Sequence, residues 1–138
     1  MNARAAPRSA AGMAAAVLAM AGATGEAAAC ALPTDAGQRL EAGAVQLAWR
    51  TQPETIAVSR PFAMQVALCP ATARLVRVDA TMPEHRHGMN YRPGVAAVAP
   101  GLWDVQGLLW HMPGRWELRF DVEADGASHT LRQSVELK

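Results

Sequence analysis

The sequence predicts an all-β protein, an antiparallel β-sandwich of about seven strands, on three observations. Apolar and polar residues alternate at period two along most of residues 30–138, which is the pattern of half-buried strands. Turn signals built on proline and glycine separate these runs, and no stretch beyond residue 29 carries the 3.6-residue period of an amphipathic helix. A small barrel is the alternative closure of the same strands.

The elements follow in order. Val45, Leu47 and Trp49 share one face of a first strand, and Phe62, Met64, Val66 and Leu68 do so in a second. Between Arg74 and Ala80 the pattern sets Val76, Val78 and Ala80 on one side. Residues 95–98 and 102–110 read as less regular strands, with Gly107 marking a bulge or a close backbone approach. The clearest alternation is Trp116, Leu118, Phe120 and Val122, with charged residues between them. Leu131, Val135 and Leu137 form a last strand in which Gln133 breaks the apolar face. Turns fall at Gln52-Pro53-Glu54, Cys69-Pro70, Pro93-Gly94, Pro100-Gly101, Pro113-Gly114 and Asp125-Gly126.

Residues 1–29 read differently. Arg4 and Arg8 precede an alanine-rich apolar run from Ala10 to Ala21, and small residues end at Ala27-Ala28-Ala29. A basic start, an apolar centre and an Ala-x-Ala site describe a secretory signal peptide. The run is too short and too weakly apolar for a membrane anchor, which needs roughly 20 strongly apolar residues. The expected product is residues 30–138, exported to the periplasm as a single domain and not integral to the membrane once the signal is cut.

Of 13 basic and 12 acidic residues, Arg4, Arg8 and Glu26 belong to this leader, so the remainder is balanced in charge. That balance gives no reason to expect nucleic acid as a partner. Two cysteines remain, Cys30 and Cys69. In an exported chain the pair is most simply one disulfide. Competing readings are a lipid-anchored Cys30, against which residues 27–29 lack a large aliphatic residue, and thiolate metal ligands. No phosphate loop, nucleophile elbow or acid–base pair suggests an enzyme.

One segment carries chemistry. Residues 82–93 read Met-Pro-Glu-His-Arg-His-Gly-Met-Asn-Tyr-Arg-Pro and hold two of the four histidines, His85 and His87, between Met82 and Met89. A second Met-Pro pair, His111-Met112-Pro113-Gly114, adds a third imidazole and another thioether. Only His129 and Met64 lie outside these segments beyond residue 29. Met64 reads as core and His129 as surface. In an extended backbone His85 and His87 project to one side, and loops held by a rigid sandwich commonly carry binding groups. Imidazole and thioether together suit copper, as Cu(I) or Cu(II), and thioether is a poor ligand for hard cations. The expected metal set is His85, His87 and Met89, completed by Met82, His111 and Met112. Glu84 is a candidate hard ligand, or an acceptor for a histidine N–H. Trp103, Trp110 and Trp116 crowd the second segment as core, or as a shield over Cu(I). With no cysteine ligand in these segments, carriage or buffering of copper fits better than blue-copper electron transfer.

The same stretches resemble the YtkA-like domain family: Met82-Pro83-Glu84-His85-Arg86-His87-Gly88-Met89, then Pro93, then Gly101-Leu102-Trp103, then Met112-Pro113-Gly114-Arg115-Trp116-Glu117-Leu118. The resemblance covers roughly residues 44–125. It implies an exported immunoglobulin-like sandwich, similar to small envelope proteins suspected of handling copper or other heavy metals. It also implies that Gly114 and Trp116 serve the turn and the core. The functional expectation is a periplasmic, non-enzymatic copper-binding protein that exchanges metal with an envelope partner. The alternative is an immunoglobulin-like interaction module of the envelope that binds no metal.

Overall fold

The computed structural model describes Met1 and residues 30–138; the expected signal peptide lies outside the described residues. Nine strands form two antiparallel sheets: β1 (Gln38–Ala42), β2 (Val45–Gln52), β3 (Pro61–Cys69), β4 (Arg74–Met82), β5 (His87–Gly88), β6 (Gly94–Ala99), β7 (Leu102–Leu109), β8 (Gly114–Ala124) and β9 (Ala127–Leu137). One sheet has the order β1-β2-β3-β7-β6 and the other β5-β4-β8-β9. Two separate sheets make this a sandwich and not a closed barrel. In immunoglobulin terms β2-β3-β7-β6 correspond to A-B-E-D and β5-β4-β8-β9 to C′-C-F-G, with β1 added at an edge.

The inner faces are those set by the alternation. Trp116, Leu118 and Phe120 are fully buried, as are Val45, Leu47, Val105 and Leu108. Met64 is core, as expected. Gln133, the break in the last strand, accepts a 2.9 Å hydrogen bond from the Trp49 indole N–H. A polar side chain there satisfies a donor that the core would otherwise orphan.

Three details depart from the sequence reading. β1 and β5 were not expected, because both are short: β1 turns only Leu40 and Ala42 to the core and β5 is two residues long. Val76 does not share a face with Val78 and Ala80. A register shift between Leu75 and Arg77 inserts an extra residue, so Leu75 turns inward and Val76 stays 44% exposed. In β7 the expected irregularity does occur: Gly107 has φ +82°, and the β3–β7 register slips between Phe62 and Met64.

Cys30 and Cys69 form a disulfide. It is not the inter-sheet bridge of antibody domains; it ties the segment before β1 to the end of β3. It closes a loop of sequence separation 39, for which chain entropy predicts about 4 kcal/mol of stabilisation. Urea unfolding of Cys30→Ser with Cys69→Ser is expected to show a loss of about 2–4 kcal/mol; an unchanged midpoint would mean that the N-terminal tether adds nothing.

On the outer face of the second sheet, burial raises the pKa of Asp121. Hydrogen bonds from Arg119 and Thr130, with the charges of Arg119 and Arg77, outweigh burial and hold the carboxyl below its ordinary value. A depressed folded pKa contributes stability above the unfolded value, about 3.9, and that contribution is lost as pH falls through the folded value. Asp121→Asn is therefore expected to be less stable than the parent at neutral pH. The two should converge as pH falls through the depressed folded value, as read from denaturation midpoints across the acid range.

Candidate metal centre

The two Met-Pro segments occupy neighbouring loops. Residues 83–86 turn β4 into β5, and residues 110–113 connect β7 to β8. In the immunoglobulin arrangement these are the C–C′ and E–F connections, which emerge at the same end of the sandwich. The A–B connection, residues 53–60, joins them: Ser59 N–H donates to the Trp110 carbonyl at 2.8 Å, and its hydroxyl donates to the His111 carbonyl at 3.3 Å. Ser59 is thus an anchor of the His111 loop, and nothing in its sequence setting pointed to that role.

β-Pairing fixes where the histidines point. His87 is the cross-strand partner of Met82, and residues directly opposite in an antiparallel pair share a face. Met82 is fully buried at the end of β4, so His87 is turned inward over the edge of the core. Its ring lies 5.1 Å from that of His111, centroid to centroid, and 6.2 Å edge-on from that of Trp116. His111 in turn lies 5.6 Å edge-on from Trp116. His85 sits in the exposed turn, with its ring 5.8 Å from that of His87 and its backbone amide N–H donating to the Met82 carbonyl at 3.1 Å. The two segments expected to meet at one end do meet, through His87 and His111.

The methionines divide by burial. Met82 belongs to the core, and a Cβ added at Gly114 would lie 3.0 Å from its methyl group. Gly114 has φ +119°, and that left-handed backbone is what requires glycine at the turn. Met89 and Met112 are half-buried against the same core. Met89 is fixed by its N–H, which donates to the Ala80 carbonyl at 3.2 Å. The Met112 carbonyl accepts from the Trp116 indole at 3.0 Å, which closes the Met-Pro-Gly-x-Trp turn.

Two features bear on chemistry. The Nδ1 atoms of His87 and His111 are both buried and have no hydrogen-bond partner. An unsatisfied buried polar atom costs about 1–3 kcal/mol, so two of them at one spot need a reason. Below them Trp116 stacks on Trp110 at 5.3 Å and 7°, a flat apolar floor. The Trp110 indole N–H is also unpaired, and nothing in the structure explains it.

Other expectations are corrected. Glu84 does not serve a histidine; it accepts from Arg115 Nε at 3.2 Å. Trp103 lies away from the centre on β7, paired with Val66 of β3 and Ala97 of β6. Among the described residues no group of three or more His, Cys, Asp or Glu side chains converges to hold a metal ion. What converges is a histidine pair, with His85 beside His87 and Met82 across the strand from it. Among the same residues no helix is long and apolar enough to cross a membrane. Compared with known proteins, the chain matches no family model, no curated protein and no solved structure, so the meaning of this cluster rests on its own residues.

Proposed function

We propose that this chain is an exported copper-binding protein, a carrier, chaperone or buffer of the periplasm, built on the sandwich that its resemblance to the YtkA-like family implies. The observation that carries the proposal is the pair of orphaned imidazole nitrogens on His87 and His111, with ring centroids 5.1 Å apart. An imidazole nitrogen about 2 Å from a first-row ion sets its ring centroid about 3.2 Å away. Two such rings at a tetrahedral angle have centroids about 5.2 Å apart. With both Nδ1 atoms turned to a common point between the rings, one bound ion would satisfy the two nitrogens at once.

Copper is favoured over zinc by the surroundings. Met89 and Met112 flank the pair half-buried, and thioethers select soft ions. Met82, fully buried beneath it, joins the set only if its side chain turns outward, so it contributes first as packing. His85, exposed beside His87, offers a third imidazole from the solvent side. Both cysteines are held in the disulfide, so no thiolate is available for a blue-copper centre.

Competition titration of the protein with Cu(I) and Cu(II) tests this reading. The expected result is one ion per chain in at least one oxidation state, with quenching of the Trp116 fluorescence that the edge-on contacts to both histidines would produce. Binding no tighter than that of an exposed histidine pair, with tryptophan emission unchanged, would leave the cluster as part of an interaction surface only.

A further inference from the structure

The arginines of the described residues divide sharply. Arg39, Arg50, Arg74, Arg77, Arg115, Arg119 and Arg132 each have a hydrogen-bond or ion-pair partner. Arg60, Arg86 and Arg92 have none, and all three are exposed. Their positions are not scattered. Arg60 follows Ser59, the anchor of the His111 loop. Arg86 stands between His85 and His87, and Arg92 stands three residues beyond Met89. Among the described residues Lys138 is also unpaired and lies in a groove with Trp49 and Glu136, but the three unpaired arginines all stand on the segments that carry or anchor the histidine cluster.

Little acid opposes them there. Glu84 is taken up by Arg115. Glu54 shares the A–B connection with Arg60, and with Glu136, Trp49 and Ile56 it lines a groove between β2 and β9. Beside Arg92, Tyr91 is 65% exposed, the most exposed large hydrophobic side chain among residues 30–138. Arginine and tyrosine are the residue types that most often carry binding energy at protein interfaces. A lipid-binding cluster, by contrast, gathers about 4–8 basic residues, more than this surface has.

We propose that the surface formed by Arg60, Arg86, Tyr91 and Arg92 is a docking face for an acidic protein, whose carboxylates pair with these three guanidiniums over the histidine cluster. The proposal goes beyond copper binding, because the contacts need no metal. Arginine presents a planar fork that meets carboxylates bidentately, so the face selects acidic side chains as well as negative charge.

The test is an NMR titration of the metal-free protein with an oligoglutamate peptide, run beside vesicles of phosphatidylglycerol in phosphatidylcholine. Amide shifts are expected at residues 59–60, 84–92 and 111–112, fading as salt shortens the screening length. R60E/R86E/R92E is expected to weaken peptide binding on the order of tenfold or more, while R74E/R132E changes it little. R60Q/R86Q/R92Q supplies the same comparison without charge reversal. Shifts spread evenly over all the arginines, no binding at low salt, or vesicle binding through this face in the absence of peptide binding would each overturn the proposal. Because copper is absent throughout, the outcome is independent of the copper titration.

Discussion

Trp116→Ala is expected to lower unfolding stability by about 3–5 kcal/mol, the range for removing a buried tryptophan. Trp116 is fully buried. It stacks on Trp110, meets the rings of both His87 and His111 edge-on, and closes the turn through its bond to the Met112 carbonyl. Its loss opens a cavity directly beneath the histidines. Against a typical total of about 5–15 kcal/mol, this is a large fraction of the stability of the domain. Trp116→Phe keeps a ring on Trp110 but loses the indole bond, so its cost is smaller. Urea midpoints at constant m-value give both numbers. A loss below about 1 kcal/mol for the alanine variant would show that the tryptophan stack does not support this end of the sandwich.

The second large effect is on copper. His87→Ala with His111→Ala is expected to reduce affinity on the order of 100-fold or more. Residues that merely orient a ligand already cost about 10–100-fold when lost. His85→Ala is expected to cost less, because His85 is exposed and contacts only the outer side of the pair. A stability measurement separates a ligand role from a structural one. If the orphaned nitrogens exist to hold a metal, His111→Leu removes a buried unsatisfied atom and leaves metal-free stability equal or higher. If His111 is a structural residue, the same change destabilises the protein with or without copper.

Much of this architecture was legible because burial writes itself into strands at period two. Trp116 to Val122 and Phe62 to Leu68 are inward-facing as the alternation demanded. The pattern failed where one extra residue changes the parity: the bulge at Val76 is a fact of register, and no side chain near it announces the slip. β1 and β5 were hidden because they are short: β1 offers only Leu40 and Ala42 to the core and β5 has two residues.

At the candidate centre, composition revealed the His/Met concentration and the Met-Pro-Gly-x-Trp turn. It did not reveal which imidazoles face each other. That depends on the cross-strand pairing of His87 with Met82 and on the C–C′ and E–F loops sharing one end. The emphasis therefore moves from the His85-x-His87 pair, adjacent in sequence, to His87 and His111, adjacent in space. Ser59 and the unpaired arginines were invisible for the same reason: their significance lies in which loops the topology gathers.

The most direct test of the copper reading is the X-ray absorption spectrum of the copper-loaded protein, compared with that of the His87→Ala/His111→Ala variant. The account predicts imidazole scattering from two rings together with a sulfur shell in Cu(I), both lost in the variant. Copper bound through oxygen alone, or a spectrum unchanged by the double substitution, would contradict it.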